Sequence, residues 1–399
     1  MSPCHESQRG LIVTGVRRVY RVLTMVLVVG LAGCTTTMDK QREAATVARR
    51  LPPPVPPPAI FAVNPTEGAA GVPVSAEIGA TVTNGKLTDV VLQDATGKRV
   101  AGVLRDDATS WVPGAALDFG TAYTATITAA GEHATTTRHV AFTTMAKPGG
   151  QQLNTDLQLV NGTTYGVAMP IVVDFGADVP VAARATVQRR VLISSEPPQA
   201  GAWRWFSARQ MVLRPQSYWQ PGTTITVRKA FAGLPIGGWF GDEDFTANVT
   251  IGRRLTIDVD SATKQMSVSQ DNTLLRTVPV SLGKPSTPSS TGTTVIMSKA
   301  ASTIFDTTAE GPGGYRVQVA HAQRLTNGGQ FIHSAPWSVA DQGVRNVSHG
   351  CINMSPSNAQ WLFDLTLVGD PVTIRNTGSK LEPGDGWTAW DMPWPEFAA

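Results

Sequence analysis

Ser348-His349-Gly350-Cys351-Ile352-Asn353 is the stretch around which this chain is read, and Phe331-Ile332-His333-Ser334 places a second histidine upstream of it. A free thiol has a pKa of roughly 8.5, so little of it is thiolate near neutrality. A neighbouring imidazole can take the proton and leave a thiolate–imidazolium pair. Cys351 is therefore the candidate nucleophile and His333 its base. His349 and Cys351 alternate, so on an extended segment both side chains would share one face. Gly350 between them removes a side chain where a substrate backbone has to approach. The N–H groups of His349, Gly350 and Cys351 make a candidate oxyanion hole. Just downstream, Ser355 suits a helix N-cap and Pro356 the first helical position, so a helix is predicted from Pro356, with Ala359, Leu362 and Phe363 on its buried side. Its N-terminal partial charge would favour a thiolate at Cys351 if it points that way. The bland alternative is a small buried hydrophobe. The polar flanks of Gly350-Cys351 favour the chemical reading.

Working outward, the chain has 399 residues, too many for one ordinary core, and a formal charge of +3. Abundant Gly and Pro with few aromatics favour strands and turns. No basic stripe with interleaved aromatics appears, so nucleic acid is not an expected partner. No metal-ligand cluster and no phosphate loop are present in the pattern, so no cofactor or metal is expected.

Residues 1–33 read as an export signal. Arg17, Arg18 and Arg21 precede an apolar run, Val22 to Gly30, that is too short to span a bilayer as a mature helix. Leu31-Ala32-Gly33-Cys34 resembles a bacterial lipobox, which implies cleavage before Cys34 and lipid on its sulfur. An uncleaved anchor is the alternative. The lipobox reading gives a chain anchored to the outer face of the cell membrane, facing the cell wall. It also settles the cysteine arithmetic. Of three cysteines, Cys4 is removed and Cys34 modified, so Cys351 is the one thiol left and no intramolecular disulfide can form. Residues 34–58 hold the lipidated Cys and a linker ending Pro52-Pro53-Pro54-Val55-Pro56-Pro57-Pro58, an extended spacer or, alternatively, a partner motif.

Residues 59–146 and 147–253 read as two tandem immunoglobulin-like sandwiches. Gly71-Val72-Pro73-Val74-Ser75-Ala76-Glu77-Ile78 looks like a strand, and Tyr123-Thr124-Ala125-Thr126-Ile127 alternates. A weak repeat supports the tandem. Gly120-Thr121-Ala122-Tyr123-Thr124 resembles Gly222-Thr223-Thr224-Ile225-Thr226, and Gly71-Val72-Pro73-Val74 is echoed from Gly166 to Ile171. A spacer role is favoured over glycan binding through Trp203, Trp205, Trp219 or Trp239. From 254 to 376, Leu255-Thr256-Ile257-Asp258-Val259-Asp260 opens a sheet. Gln265 to Ser269 and Thr277 to Ser281 continue it, with Asp271-Asn272 as a turn, and Val372-Thr373-Ile374 closes it. Residues 300–330, with Gly311, Gly313, Gly314, Gly328 and Gly329, are expected to be a long loop. The tail, 377–399, carries Trp387, Trp390 and Trp394, which would share a helix face, although Pro393 and Pro395 prevent a long helix. It is expected to dock back on the rest, with sugar binding as the alternative.

The motif Ile332-His333-Ser334 with Ser348-His349-Gly350-Cys351-Ile352-Asn353-Met354-Ser355 resembles the signature of the L,D-transpeptidases, cysteine enzymes that cross-link peptidoglycan. The likeness runs over roughly 255–375 and includes Pro285-Ser286-Thr287-Pro288 with Gly292, and Ser334-Ala335-Pro336-Trp337-Ser338. The N-terminal arm resembles the actinobacterial lipoprotein branch of that family. Many members carry Arg in place of Asn353 and Gly in place of Ser334; the actinobacterial branch is similar to this chain at both. The resemblance implies a mainly β architecture: two immunoglobulin-like sandwiches, then a mixed-β catalytic domain with a short helix and a Trp-rich tail. It implies a lid at 300–330 with Tyr315 facing the cleft, and places Tyr315, Gly328, Gly329 and Asn353 near a peptidoglycan stem peptide. It also implies a 3→3 cross-link made through a Cys351 thioester with loss of D-alanine, and acylation of Cys351 by carbapenems. The carbonyl of Ser334 is expected to orient His333. An L,D-carboxypeptidase using water, and a non-catalytic wall-binding lipoprotein, are the alternatives.

Overall fold

The computed structural model describes residues 59–132, 134–308 and 314–399. The signal, Cys34 and the proline-rich linker lie outside the described residues. The described chain is mainly β.

The first module pairs two four-stranded sheets. One runs Ala59–Asn64, Ile78–Thr83, Ser110–Pro113, Gly102–Leu104; the other runs Ala69–Val72, Thr135–Thr144, Ala122–Ala130, Lys86–Asp94. Their inner faces share one core of Ile78, Leu92, Trp111, Ile127 and Phe142, as alternating strands on two packed sheets require. The strand expected across 71–78 is two pieces. Pro73 cannot donate to a ladder, and the chain turns there, with Ala76 N–H bonded to Pro73 O at 2.8 Å. The second module repeats the plan with sheets Thr155–Leu157, Ile171–Phe175, Gln210–Pro215, Gly201–Ser207 and Thr164–Tyr165, Asp244–Ile251, Thr224–Ala230, Val191–Glu196. The sequence repeat has a structural counterpart. Gly120 (φ 60°) and Gly222 (φ 83°) each precede a long strand, and each donates its N–H over 2.8 Å, to Met145 O and Ile251 O respectively. One element has no strand signature. Val181–Arg189 is a helix behind Pro180, and its Ala-rich composition outweighs the two valines. Of the tryptophans, Trp219 is core at 2% exposure, whereas Trp239 is 37% exposed.

The third region holds a six-stranded sheet ordered Thr273–Pro279, Gln265–Gln270, Leu255–Asp260, Pro371–Arg375, Ser290–Val295, Ser379–Lys380. The hairpin of Gln265–Gln270 with Thr273–Pro279 turns on Asp271 (φ 51°) and Asn272 (φ 65°), the double positive φ of a two-residue turn matched to strand twist. A four-stranded sheet, Ser298–Asp306, Arg316–Arg324, Phe331–Ser334, Ile352–Met354, carries the site. Residues 300–330 are thus not a long loop. Ser298–Asp306 and Arg316–Arg324 pair antiparallel from Ser298↔Arg324 to Asp306↔Arg316. Glycine density misled here: Gly314 and Gly328-Gly329 lie beyond the strand ends, Gly311 and Gly313 lie outside the described residues, and Thr303-Ile304-Phe305 and Val317-Gln318-Val319 have strand composition.

The tail binds the second module. Phe397 is fully buried, and Trp390 Nε1 donates to Ala168 O at 2.7 Å. Trp390 and Trp394 do not lie on one regular helix. Ala389–Asp391 is a 3-10 turn and Trp394–Phe397 a separate short helix, since Pro393 interrupts. Arg214, 2% exposed, donates to Ala389 O at 3.0 Å and Met392 O at 2.7 Å. Its guanidinium lies 4.6, 5.2 and 4.4 Å from the rings of Trp390, Trp394 and Phe397. Arg214→Ala removes these hydrogen bonds and cation–π contacts and opens a void. We expect a loss of about 2–5 kcal/mol, read by thermal unfolding, with new protease cleavage in the tail. A change within error of zero would contradict this account of the tail.

Candidate active site

The parallel pairing of Phe331–Ser334 with Ile352–Met354 builds the site. Its register sets Ile332 beside Ile352 and His333 beside Asn353. Parallel strands need a crossover, here through the 3-10 turn Pro336–Ser338. Cys351 immediately precedes the second strand. Behind it, the helix Pro356–Leu365 begins at Ser355, whose Oγ accepts from Asn358 N–H at 3.3 Å. Ala359 and Leu362 are buried in the catalytic core. Phe363, expected there too, is only half-buried, with Lys299 Nζ 4.5 Å from its ring.

His333 is 3% exposed, and its Nδ1 lies 2.8 Å from Ser334 O. A carbonyl only accepts, so Nδ1 carries the hydrogen and Nε2 presents a lone pair. The ring is walled by Phe305 (centroids 5.2 Å) and Trp337 (6.0 Å). Burial pushes its pKa below the ordinary histidine value, against an opposing hydrogen bond to Ser334. Cys351 is also buried, and burial pushes its thiol up to about 11, a backbone contact at Phe331 opposing. The resting pair is therefore a neutral thiol and a neutral imidazole. The expected resting thiolate is not favoured, because desolvation outweighs any help from the following helix. The Cys351 Sγ donates to Gly329 O at 3.7 Å.

The turn at 348–350 departs from the extended geometry predicted for it. Gly350 has φ 121°, so His349 and Cys351 do not share a strand face; His349 is exposed and Cys351 buried. A Cβ on Gly350 would meet nothing closer than 3.8 Å. The glycine is required by its φ, not by lack of room. Gly350 N–H donates to Ser348 Oγ at 3.1 Å, and Ser348 Oγ in turn donates to Cys351 O at 2.6 Å. Gly350 N–H is thus engaged in the turn and is not a ready oxyanion donor, which leaves His349 and Cys351 as the candidates.

Two cavities open on Cys351. One, of about 320 Å³, is lined by His333, Trp337, Asn353 and Ser348. The other, of about 550 Å³, is lined by Asp306, Gly328, Gly329 and Phe331. Phe305, Tyr315, His349 and Cys351 line both. The Tyr315 and His349 rings are 5.3 Å apart. Asn353 Nδ2 donates to Ser338 Oγ at 3.1 Å, so its amide has a fixed orientation at the smaller cavity. Sequence reasoning missed three groups. Lys284 Nζ lies 3.0 Å from His349 Nε2. Ser289 Oγ donates to Gly350 O at 2.7 Å, and Asp385 holds Gly328 N–H at 2.6 Å. Lys284 and Ser289 flank the quoted Pro285–Pro288 block on either side; Asp385 has no local signal.

Residues 254–374 match the L,D-transpeptidase catalytic domain, and residues 69–235 match a bacterial Ig domain. An immunoglobulin-like arm joined to an acyltransferase domain is the class that fold and match define. L,D-transpeptidase 2 of Mycobacterium tuberculosis is 35% identical over 341 residues, spanning 84% of this chain and 83% of that protein. L,D-transpeptidase 5 of the same species is 30% identical over 368 residues, spanning 90% and 79%. A solved L,D-transpeptidase in complex with imipenem is 34% identical and covers 57% of this chain and 100% of its own, with a TM-score of 0.48. The chain belongs to the L,D-transpeptidase family.

Proposed function

We propose that this enzyme forms 3→3 peptidoglycan cross-links. Cys351 attacks the carbonyl of the third residue of a tetrapeptide stem while His333 Nε2 takes the thiol proton. Collapse of the tetrahedral intermediate expels D-alanine, with the imidazolium of His333 returning the proton to its amine, and leaves a thioester. The amine of a second stem, deprotonated by His333, then displaces Cys351. The buried, neutral pair suits this order, because the proton moves only as the sulfur–carbon bond forms. The observation that carries the reading is the meeting of two cavities at one sulfur. A two-substrate acyl transfer needs donor and acceptor to reach the thioester from separate sides. Tyr315, Gly328, Gly329 and Asn353 would contact the stems. A carbapenem carbonyl is an acyl donor for the same thiol, so these β-lactams would acylate Cys351.

The test is incubation of the protein with a purified disaccharide–tetrapeptide, with products read by mass spectrometry. A Cys351-dependent cross-linked dimer is expected. A tripeptide without dimer would move the function to carboxypeptidase, and neither product from folded protein would favour the wall-binding reading. The same reading has the chain exported and held by lipid on Cys34 at the outer face of the membrane. Labelled palmitate should enter the protein, and Cys34→Ser should lose the label; a labelled Cys34→Ser protein would refute the anchor.

A further inference from the structure

The carbonyl that receives the Cys351 thiol hydrogen belongs to a turn of two glycines, and that turn is held from the C-terminal tail. Gly329 has φ 89°, a Cβ there would meet nothing within 4 Å, and its own N–H donates to Thr326 O only over a long 3.4 Å, so little packs against it locally. Besides its own closing bonds, such as Leu325 N–H to Gln330 O at 2.8 Å, two side chains from outside tie the turn. Arg324 donates from Nε to Thr326 O at 2.9 Å and from Nη2 to Asn327 O at 2.8 Å. Asp385 Oδ1 accepts from Gly328 N–H at 2.6 Å. The second tie is charge-assisted and short, the stronger kind of hydrogen bond, and it reaches across 57 residues of sequence. Asp385 is itself placed by the tail. Leu381 N–H donates to Thr291 O at 2.9 Å, Gly384 N–H to Thr388 Oγ1 at 2.8 Å, and Gly386 sits against Met297 and Thr326. The tail continues into the Arg214 cage on the second module.

We propose that Asp385 is a positioning residue for Cys351: by holding Gly328 N–H it fixes the Gly329 carbonyl as the resting acceptor of the thiol hydrogen, and so couples the tail to the nucleophile. With the acceptor in place the thiol proton is retained until substrate draws the sulfur toward His333. Without it the glycine pair relaxes, the thiol loses its acceptor, and the wall of the larger cavity shifts. The proposal rests on Cys351 being the nucleophile. Its readout is the thiol itself, so a failed tetrapeptide reaction would leave this test standing.

The test compares the full-length protein with Asp385→Ala and Asp385→Asn. Iodoacetamide alkylation is followed at the Cys351 peptide by mass spectrometry from pH 6 to 9, and thermal unfolding is measured on each protein. Asp385→Ala is expected to alkylate about threefold faster at a given pH, the consequence of roughly half a pKa unit. Asp385→Asn, whose amide oxygen still accepts from Gly328, is expected to stay within about twofold of the unmodified protein. Should Asp385→Ala not fold, Gly328→Ala serves instead. Its Cβ would stand 3.0 Å from Asp385 Oδ2, so the carboxylate has to give by a few tenths of an ångström and its bond to Gly328 N–H is loosened, with an acceleration in the same direction expected. An unchanged alkylation rate in the folded Ala variant, or an Asn variant that behaves like the Ala variant, overturns the proposal.

Discussion

Replacing Cys351 with alanine is expected to abolish acylation and cross-linking, a loss of about 10⁴-fold or more, in a protein that still folds. Both halves follow from where the side chain sits. The sulfur is reached from two cavities and is the group on which the proposed reaction turns. It is small, with a long hydrogen bond to Gly329 O at 3.7 Å and a backbone contact at Phe331, so removing it opens a void of a single heavy atom. A loss of about 1 kcal/mol or less is expected from that, within a few degrees of thermal midpoint. The check is intact-protein mass after exposure to tetrapeptide or carbapenem, beside a melting curve. Residual cross-linking by the folded variant would remove Cys351 from the mechanism.

His333→Gln should cost about 10²- to 10⁴-fold in acylation, because the thiol cannot supply its own thiolate. With its pKa pushed up to about 11, only about one Cys351 in ten thousand is ionised at pH 7. The pH dependence has a definite sign. His333 acts as a base only when neutral, and burial lowers its pKa. Activity should therefore be full at neutrality and fall as pH drops through a value below the ordinary 6.5 or so. The acid limb of kcat/KM should lie below that of an exposed histidine and should disappear in His333→Gln. An acid limb above pH 7, or one that survives the substitution, would assign the proton to another group.

How far the chain could be read depended on the range of each interaction. Ser355 and Pro356 announce the helix they begin, and Asp271-Asn272 announces its hairpin, because caps and two-residue turns are decided within four residues. Cys351 and His333 stood out as candidates through their chemistry and their likeness to a family motif. What local reading could not show was the parallel register that sets His333 beside Asn353, or the hairpin over 298–324, which depends on pairing partners as much as on composition. The resting state of the thiol was also hidden. A helix start nearby suggests a thiolate, but burial is a property of the assembled core, and it decides the other way. Asp385 and Lys284 reach the site across 57 and 65 residues; nothing near Asp385 marks it, and the Pro285–Pro288 block beside Lys284 does not show that its ammonium meets His349.

The most direct test of the central claim is to trap the acyl-enzyme. Protein mixed with a disaccharide–tetrapeptide and quenched in acid within the first turnovers should gain the mass of the substrate less one alanine, and digestion should place that mass on the peptide containing Cys351. An adduct on any other residue, or rapid release of D-alanine with no covalent species at any quench time, would contradict a Cys351 thioester.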